Sequence, residues 1–160
     1  MMSREQVTSQ PTVVLTSSST SKQADLGSVI WDNVGNAFRY VQNIAADSIA
    51  IADGTCVYQT VTWGVVTPDI AGGSGLGDIV VGVGVGAIAA GSYGYVQVSG
   101  YHDKVKTDGT MAAGNFMMGS ATDGEAIVMA NGEEEAVFGQ ALAADTTTEP
   151  HSCPAILKIL

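Results

Sequence analysis

Ala89-Ala90-Gly91-Ser92-Tyr93-Gly94-Tyr95-Val96-Gln97-Val98-Ser99-Gly100 is the stretch that decides the fold class. Gly91 and Gly94 bracket Ser92-Tyr93, which reads as a turn. From Tyr95 onward the side chains alternate with the two-residue period of a strand. In that register Val96 and Val98 face one way and are core candidates, while Tyr95 and Gln97 face the other. Tyr93 and Tyr95 are amphipathic aromatics, a type enriched where proteins meet, and they are read as candidate interface residues.

Just upstream, Ile79 to Val85 is a second strand-like run, expected to pair with Tyr93 to Val98. The segment Gly82-Val83-Gly84-Val85-Gly86-Ala87-Ile88-Ala89 matches the spacing G-x-G-x-x-A of dinucleotide-binding turns. That motif works only when a helix N-terminus follows and receives the pyrophosphate. Gly91-Ser92-Tyr93-Gly94 leaves no room for the helix. Glycine at every second position instead puts small residues on one face of a strand. Such a face suits the close approach of another backbone or a bend at a barrel corner.

From Leu26 the remaining chain also reads as strands between short turns. Ser28 to Trp31 and Ala37 to Gln42 flank Asp32-Asn33-Val34-Gly35-Asn36, a hairpin connection with glycine where positive φ is needed. Ser48 to Ala52 is a short alternating run closed by Asp53-Gly54. Thr55 to Val66 is β-branched and aromatic throughout. Pro68 to Asp78 is a loop, and Lys104-Val105-Lys106 alternates before a turn at Asp108-Gly109. Glu125 to Met129, Ala136 to Ala141 and Ala155 to Leu160 complete about nine or ten short strands, at the spacing of a sandwich or barrel. Only Ile44 to Ile51 has room for a turn or two of helix. The expected fold is all-β, a small β-barrel or sandwich over residues 25–160.

Residues 1–24 precede it as an N-terminal arm rich in Ser, Thr and Gln. Its apolar patch, Val13-Val14-Leu15, is too small to order the segment alone. Two readings stand: a frayed terminus, or an extended arm that adds Thr12 to Thr16 as a strand on a neighbouring subunit. Fully extended, 24 residues reach on the order of 70 Å.

Composition narrows the function classes. The chain has 160 residues, enough for one domain with an arm, and 46% of them are hydrophobic. Charged residues make up only 14%, against ~25% in an average protein, which leaves neutral surface for contact, as in an assembly subunit. The net charge of −10 comes from 16 acidic and 6 basic residues, and the basic ones are scattered. Nucleic-acid binding needs clustered cations, so it is not expected. The longest apolar run, Ile79 to Gly91, has 13 residues and four glycines, too short to cross a bilayer. Met1 to Gln10 lacks the apolar segment of a signal peptide, so the expectation is a soluble chain made in a cytoplasm. Cys56 and Cys153 match no metal or redox spacing and are expected as reduced, mostly buried thiols, with a disulfide as the alternative.

Catalytic constellations are thin. His102 stands beside Asp103, and His151 lies with Cys153 in a Pro-flanked tail segment. Glu133-Glu134-Glu135 follows a turn and reads as a solvated charge cluster, or else a weak cation site. No nucleophile elbow or metal-ligand set appears. A non-enzymatic protein with no cofactor and no metal is expected.

From Ile79 onward the sequence resembles the capsid cement (decoration) proteins of tailed bacteriophages. Ala90-Gly91-Ser92-Tyr93-Gly94-Tyr95-Val96-Gln97-Val98-Ser99-Gly100 is similar to a strand-turn signature of that family. Val105-Lys106 and Ala112-Ala113-Gly114-Asn115 follow in order, the latter departing from a more usual ALA-x-GD. Ser120-Ala121-Thr122-Asp123-Gly124-Glu125-Ala126 looks like the family's S-x-T-x-G-x-A. Phe138-Gly139-Gln140-Ala141-Leu142-Ala143-Ala144 looks like its IG-x-AL-x-A, and Ile156-Leu157-Lys158-Ile159-Leu160 like its closing strand. Leu26 to Val29 and Phe38 to Asn43 resemble the opening hairpin, while Asp53-Gly54-Thr55-Cys56-Val57-Tyr58 departs from AGD-x-V.

The resemblance implies a virion protein on the outer capsid surface, partnered by the major capsid protein and by itself as a homotrimer. It carries over no functional residue. Val13, Val14, Leu15, Tyr93 and Tyr95 are therefore interface candidates from their own chemistry alone. A competing reading is a carbohydrate- or receptor-binding module of a head fibre or tail, with Trp31 and Trp63 stacking on sugar rings. Both tryptophans exposed side by side would favour it, and both in the core would sink it.

Overall fold

The computed structural model describes residues 15–44, 48–70, 79–132, 134–145 and 150–159. Among them are ten strands: β1 (Val29–Trp31), β2 (Ala37–Asn43), β3 (Cys56–Gln59), β4 (Val65–Thr67), β5 (Val80–Gly84), β6 (Tyr93–Lys106), β7 (Phe116–Gly119), β8 (Ala126–Val128), β9 (Gly139–Ala141) and β10 (Ser152–Lys158). The helical element is a single 3-10 turn at Glu134–Ala136. The all-β expectation holds, and the barrel form of it is the one adopted.

Strands β2, β4, β3, β5 and β6 are neighbours in that order, and β6 pairs back onto β2, so five strands close a barrel. Closure removes the free edges that an open sheet would offer to other chains. β1 adds to the first half of β2. On the other side β10, β9, β7 and β8 extend outward from β6. Thr107, just past β6, bridges Ala126 in β8, so this outer sheet curls back onto the end of its own first strand.

Two cores follow from this layering. Val41, Ile51, Val57, Val66, Ile88 and Val96 fill the barrel. The alternate side chains of the barrel wall, Cys56, Tyr58, Val80 and Val83, pack with Val105, Met111, Met117, Phe138 and Leu157 of the outer layer. Each full burial of such a side chain stabilises the fold by ~1.5–3 kcal/mol.

The glycine pattern of β5 has the cause expected of it. A Cβ on Gly82 would meet the Val96 side chain, one on Gly84 the Ala52 carbonyl, and one on Gly86 the Thr16 backbone, 2.7–2.8 Å away. Three small residues let two chain segments and a core valine approach the barrel wall.

Four elements differ from the sequence reading. Thr55 to Val66 is two strands, because Gly64 takes φ 75° and Thr60 Oγ1 donates to Val65 O at 2.9 Å, which folds the run at residues 61–64. The strand begun at Tyr93 does not stop at Val98 but runs on through Lys106. Gly100, at φ 95°, turns the backbone, while pairing with β10 on both sides of it keeps the ladder. Phe116–Gly119 lacks a β-branched residue and gives no strand signal. It is extended because β9 and β8 pair with it from both sides. Ser48 to Ala52 contributes only the bridge Ile51–Ile88.

Candidate interaction surfaces

Of the interface candidates, Val13 and Val14 lie outside the described residues, and Leu15 is half-buried in a turn. Ser19 exchanges both backbone hydrogen bonds with Tyr93, at 2.9 and 2.8 Å. The Gln23 N–H donates to the Tyr40 hydroxyl at 2.8 Å. Tyr40 in turn stacks on Tyr93, with ring centres 6.2 Å apart, and meets Tyr95 at 5.0 Å. Burial, and then the neighbouring Tyr40, push the Tyr95 phenol pKa up. Tyr93 and Tyr95 are thus brought together, and the cluster seats residues 19–23 of the same chain on the barrel.

A second surface was not singled out by sequence reasoning. On the solvent side of the outer sheet, Tyr101 stands opposite Ile156, Ile156 opposite Gln140, and Gln140 opposite Phe116. This one cross-strand row therefore carries Tyr101, Ile156 and Phe116 at 51%, 42% and 50% exposure. Met118 and Ile127 form the next pair along β7 and β8 on the same side. An antiparallel sheet with one wet face normally alternates apolar and polar. The signal was present in β10, where Cys153, Ala155 and Leu157 point inward yet Ile156, facing water, is apolar too. The Tyr101 N–H donates to Asn36 Oδ1 at 3.0 Å, tying the β1–β2 hairpin to this end of the row.

A third surface lies at one mouth of the barrel. Arg39 stands opposite Val96 and two residues before Val41, which places it on the barrel's inner face. Its guanidinium carbon lies 5.5 Å from the Trp63 ring centre. Trp63 and Trp31 are each 63% exposed. Val29 is directly opposite Arg39, and Trp31 is two residues further along β1, so Trp31 and Arg39 are diagonal neighbours on one face. Trp63 thus touches Arg39, and Trp31 lies on the sheet face from which Arg39 projects.

The titratable residues are arranged to hold the fold. A shallow cavity of ≈ 350 Å³ is lined by Asp53, Val85, Gln97, Tyr101, His102 and Asp103. His102 is the natural base there, but its ring is buried and both nitrogens are engaged with backbone. Nε2 lies 3.0 Å from Gly84 O, and Nδ1 accepts from the Lys104 N–H at 3.2 Å. The imidazole clamps β5 to β6 and presents no lone pair to a substrate. Among the described residues, no three His, Cys, Asp or Glu side chains converge as metal ligands. No described helix is long and apolar enough to cross a membrane.

Cys56 and Cys153 are free and buried. Burial, and then the Asp145 carboxylate, push the Cys153 thiol up to about 11, and burial raises Cys56 further still. Neither is a thiolate at neutral pH, so neither is a ready nucleophile. Native protein at pH 8 is expected to leave a colorimetric disulfide reagent unreacted over an hour, and guanidinium to release both thiols at once. Rapid native reaction would show that the core opens.

No family model matches the sequence, and no curated protein matches it. A solved structure shares the fold. The head fibre gp8.5 N base of bacteriophage phi29 superposes with a TM-score of 0.51 at 12% identity, covering 76% of this chain and 93% of that one. At that identity the likeness concerns the path of the chain, and no side chain is carried across.

Proposed function

We propose that this chain is a structural protein of a tailed-bacteriophage head, one that binds the outer surface of the capsid shell and braces it by bridging capsomers. The observation that carries this reading is the open apolar row Tyr101–Ile156–Gln140–Phe116 on the outer sheet. A monomer rarely leaves such a face to water unless something docks there. Support comes from the fold shared with a phage head-fibre base and from the family-like run at residues 89–100. Each copy would bury the row on the major capsid protein, so that internal pressure must break several interfaces at once. Self-association as a closed trimer would present identical rows to symmetry-related capsomers. The arm would add affinity through effective concentration.

The test is to incubate the purified protein with capsids that lack it and to measure binding and the rupture temperature on heating. Binding with a raised rupture temperature is expected. Capsids that neither bind it nor change their rupture temperature remove the reading. Residues 19–23 are bonded to the barrel, so the arm is tested by deleting residues 1–14 only. That deletion is expected to weaken binding and leave the melting temperature unchanged.

The exposure of both Trp31 and Trp63 favours a second reading, a sugar-binding head-fibre part. Oligosaccharide binding that is lost in Trp31→Ala supports it.

A further inference from the structure

The barrel mouth contains an unsatisfied charge. Arg39 Nε is buried without a hydrogen-bond acceptor, and among the described residues the guanidinium makes no hydrogen bond or ion pair. Partial burial pushes its pKa down. In a chain of 16 acidic and 6 basic residues, an arginine in no ion pair with any described carboxylate is a departure from what charge statistics favour. Arg39 is half-buried rather than enclosed, so part of its side chain is open to solvent. Trp63 holds the guanidinium from one side, and Trp31 stands diagonally across β1. Arginine and tryptophan dominate the few residues that carry most of the energy of protein interfaces.

We propose that Arg39, flanked by Trp63 and Trp31, anchors a carboxylate on the surface of the capsid shell protein, as a contact distinct from the outer-sheet row. This rests on the proposed function for the identity of the partner. The planar guanidinium offers its two Nη donors end-on to a carboxylate, a bidentate, charge-assisted pair. The tryptophans exclude water around it, which strengthens the pair. A protein carboxylate fits better than a sugar because the polar side chains of the adjoining hairpin are already engaged with one another. Asp32 and Asn36, on the adjoining hairpin, are bonded to each other at 2.7 Å and to the backbone. Because the whole chain is acidic, this contact works at short range and holds the complex through a slow off-rate rather than by steering.

Binding of wild type, Arg39→Gln, Arg39→Lys and Trp31→Ala to capsids lacking the protein tests this across a salt series, with melting temperatures measured in parallel. Arg39→Gln is expected to bind at least ~10-fold more weakly and to flatten the salt dependence. Arg39→Lys should keep the salt slope but lose part of the affinity, and Trp31→Ala should lose several-fold with its fold intact. A purely structural role for Arg39 would lower the melting temperature without flattening the slope. If wild type binds and Arg39→Gln binds equally well with the same slope, the anchor is overturned while the capsid reading stands. If wild type does not bind capsids at all, both fall. If Trp31→Ala abolishes oligosaccharide binding and leaves capsid binding untouched, the site belongs to a sugar and the anchor is overturned.

Discussion

Gly84→Ala is expected to lower folding stability by about 3 kcal/mol, and Gly84→Val to leave no soluble folded protein. A Cβ at this position would meet the Ala52 carbonyl and would lie 2.8 Å from Ile51 Cγ2. The strand cannot slide away, because it is tied on both sides. Gly84 N donates to Thr55 O at 2.8 Å, its carbonyl accepts from Gly54 N at 2.8 Å, and His102 Nε2 lies 3.0 Å from the same carbonyl. Moving β5 would therefore break two backbone bonds and the imidazole clamp, and would shift Ile51, which fills the barrel. A loss of about 3 kcal/mol is a large part of the 5–15 kcal/mol that a domain has in total. Gly109→Ala separates the steric effect from the conformational one. It has φ 94° but nothing within 4 Å of a Cβ, so only the left-handed backbone penalty of ~1 kcal/mol applies. Chemical denaturation of Gly84→Ala and Gly109→Ala, with the soluble yield of Gly84→Val, decides the matter. A Gly84→Ala protein within 1 kcal/mol of wild type would mean that the barrel wall yields.

Residues 79–100 were legible because their information is local. Alternation in Tyr95 to Val98 and the spacing of Gly82, Gly84 and Gly86 are properties of consecutive residues, and both report what the backbone must do. The close approach read from those glycines is made by Ala52 and Thr16, whose identity no local pattern announces. β7 was illegible for a related reason. Phe-Met-Met-Gly has no intrinsic strand preference, and its extended form is imposed by partners on both sides. Closure of the barrel by β2 on β6 brings Arg39 opposite Val96, a pairing across more than fifty residues, so the Trp63–Arg39–Trp31 mouth had no sequence signature. Tyr93 and Tyr95 are amphipathic, a property suited to an interface and equally to stacking on Tyr40 under the chain's own residues 19–23. Composition says that a side chain has two characters; only the fold says which neighbour uses them.

Replacing Phe116 with Asp and Ile156 with Lys in one protein is expected to abolish capsid binding, weakening it by at least about 100-fold, while the domain stays folded. The stability expectation follows from position. Both side chains point to water from the outer sheet, and their backbone pairing with β9 is unaffected by side-chain identity. Substitutions at such sites usually change stability by about 0.5 kcal/mol. The binding expectation follows from area. A phenylalanine buries roughly 200 Å² when covered, and about half of Phe116 is still open. At ~25 cal/mol per Å², covering that half stabilises a complex by about 2 kcal/mol, and Ile156 adds a similar amount. Allowing for imperfect burial, the two together account for about 3 kcal/mol, a little over 100-fold in affinity, before any cost of burying new charges. Cosedimentation with capsids, together with thermal melts of wild type and the double variant, gives the answer. Unchanged capsid binding by the double variant, with a normal melt, would eliminate the outer row as the docking face and leave the barrel mouth to carry the contact alone.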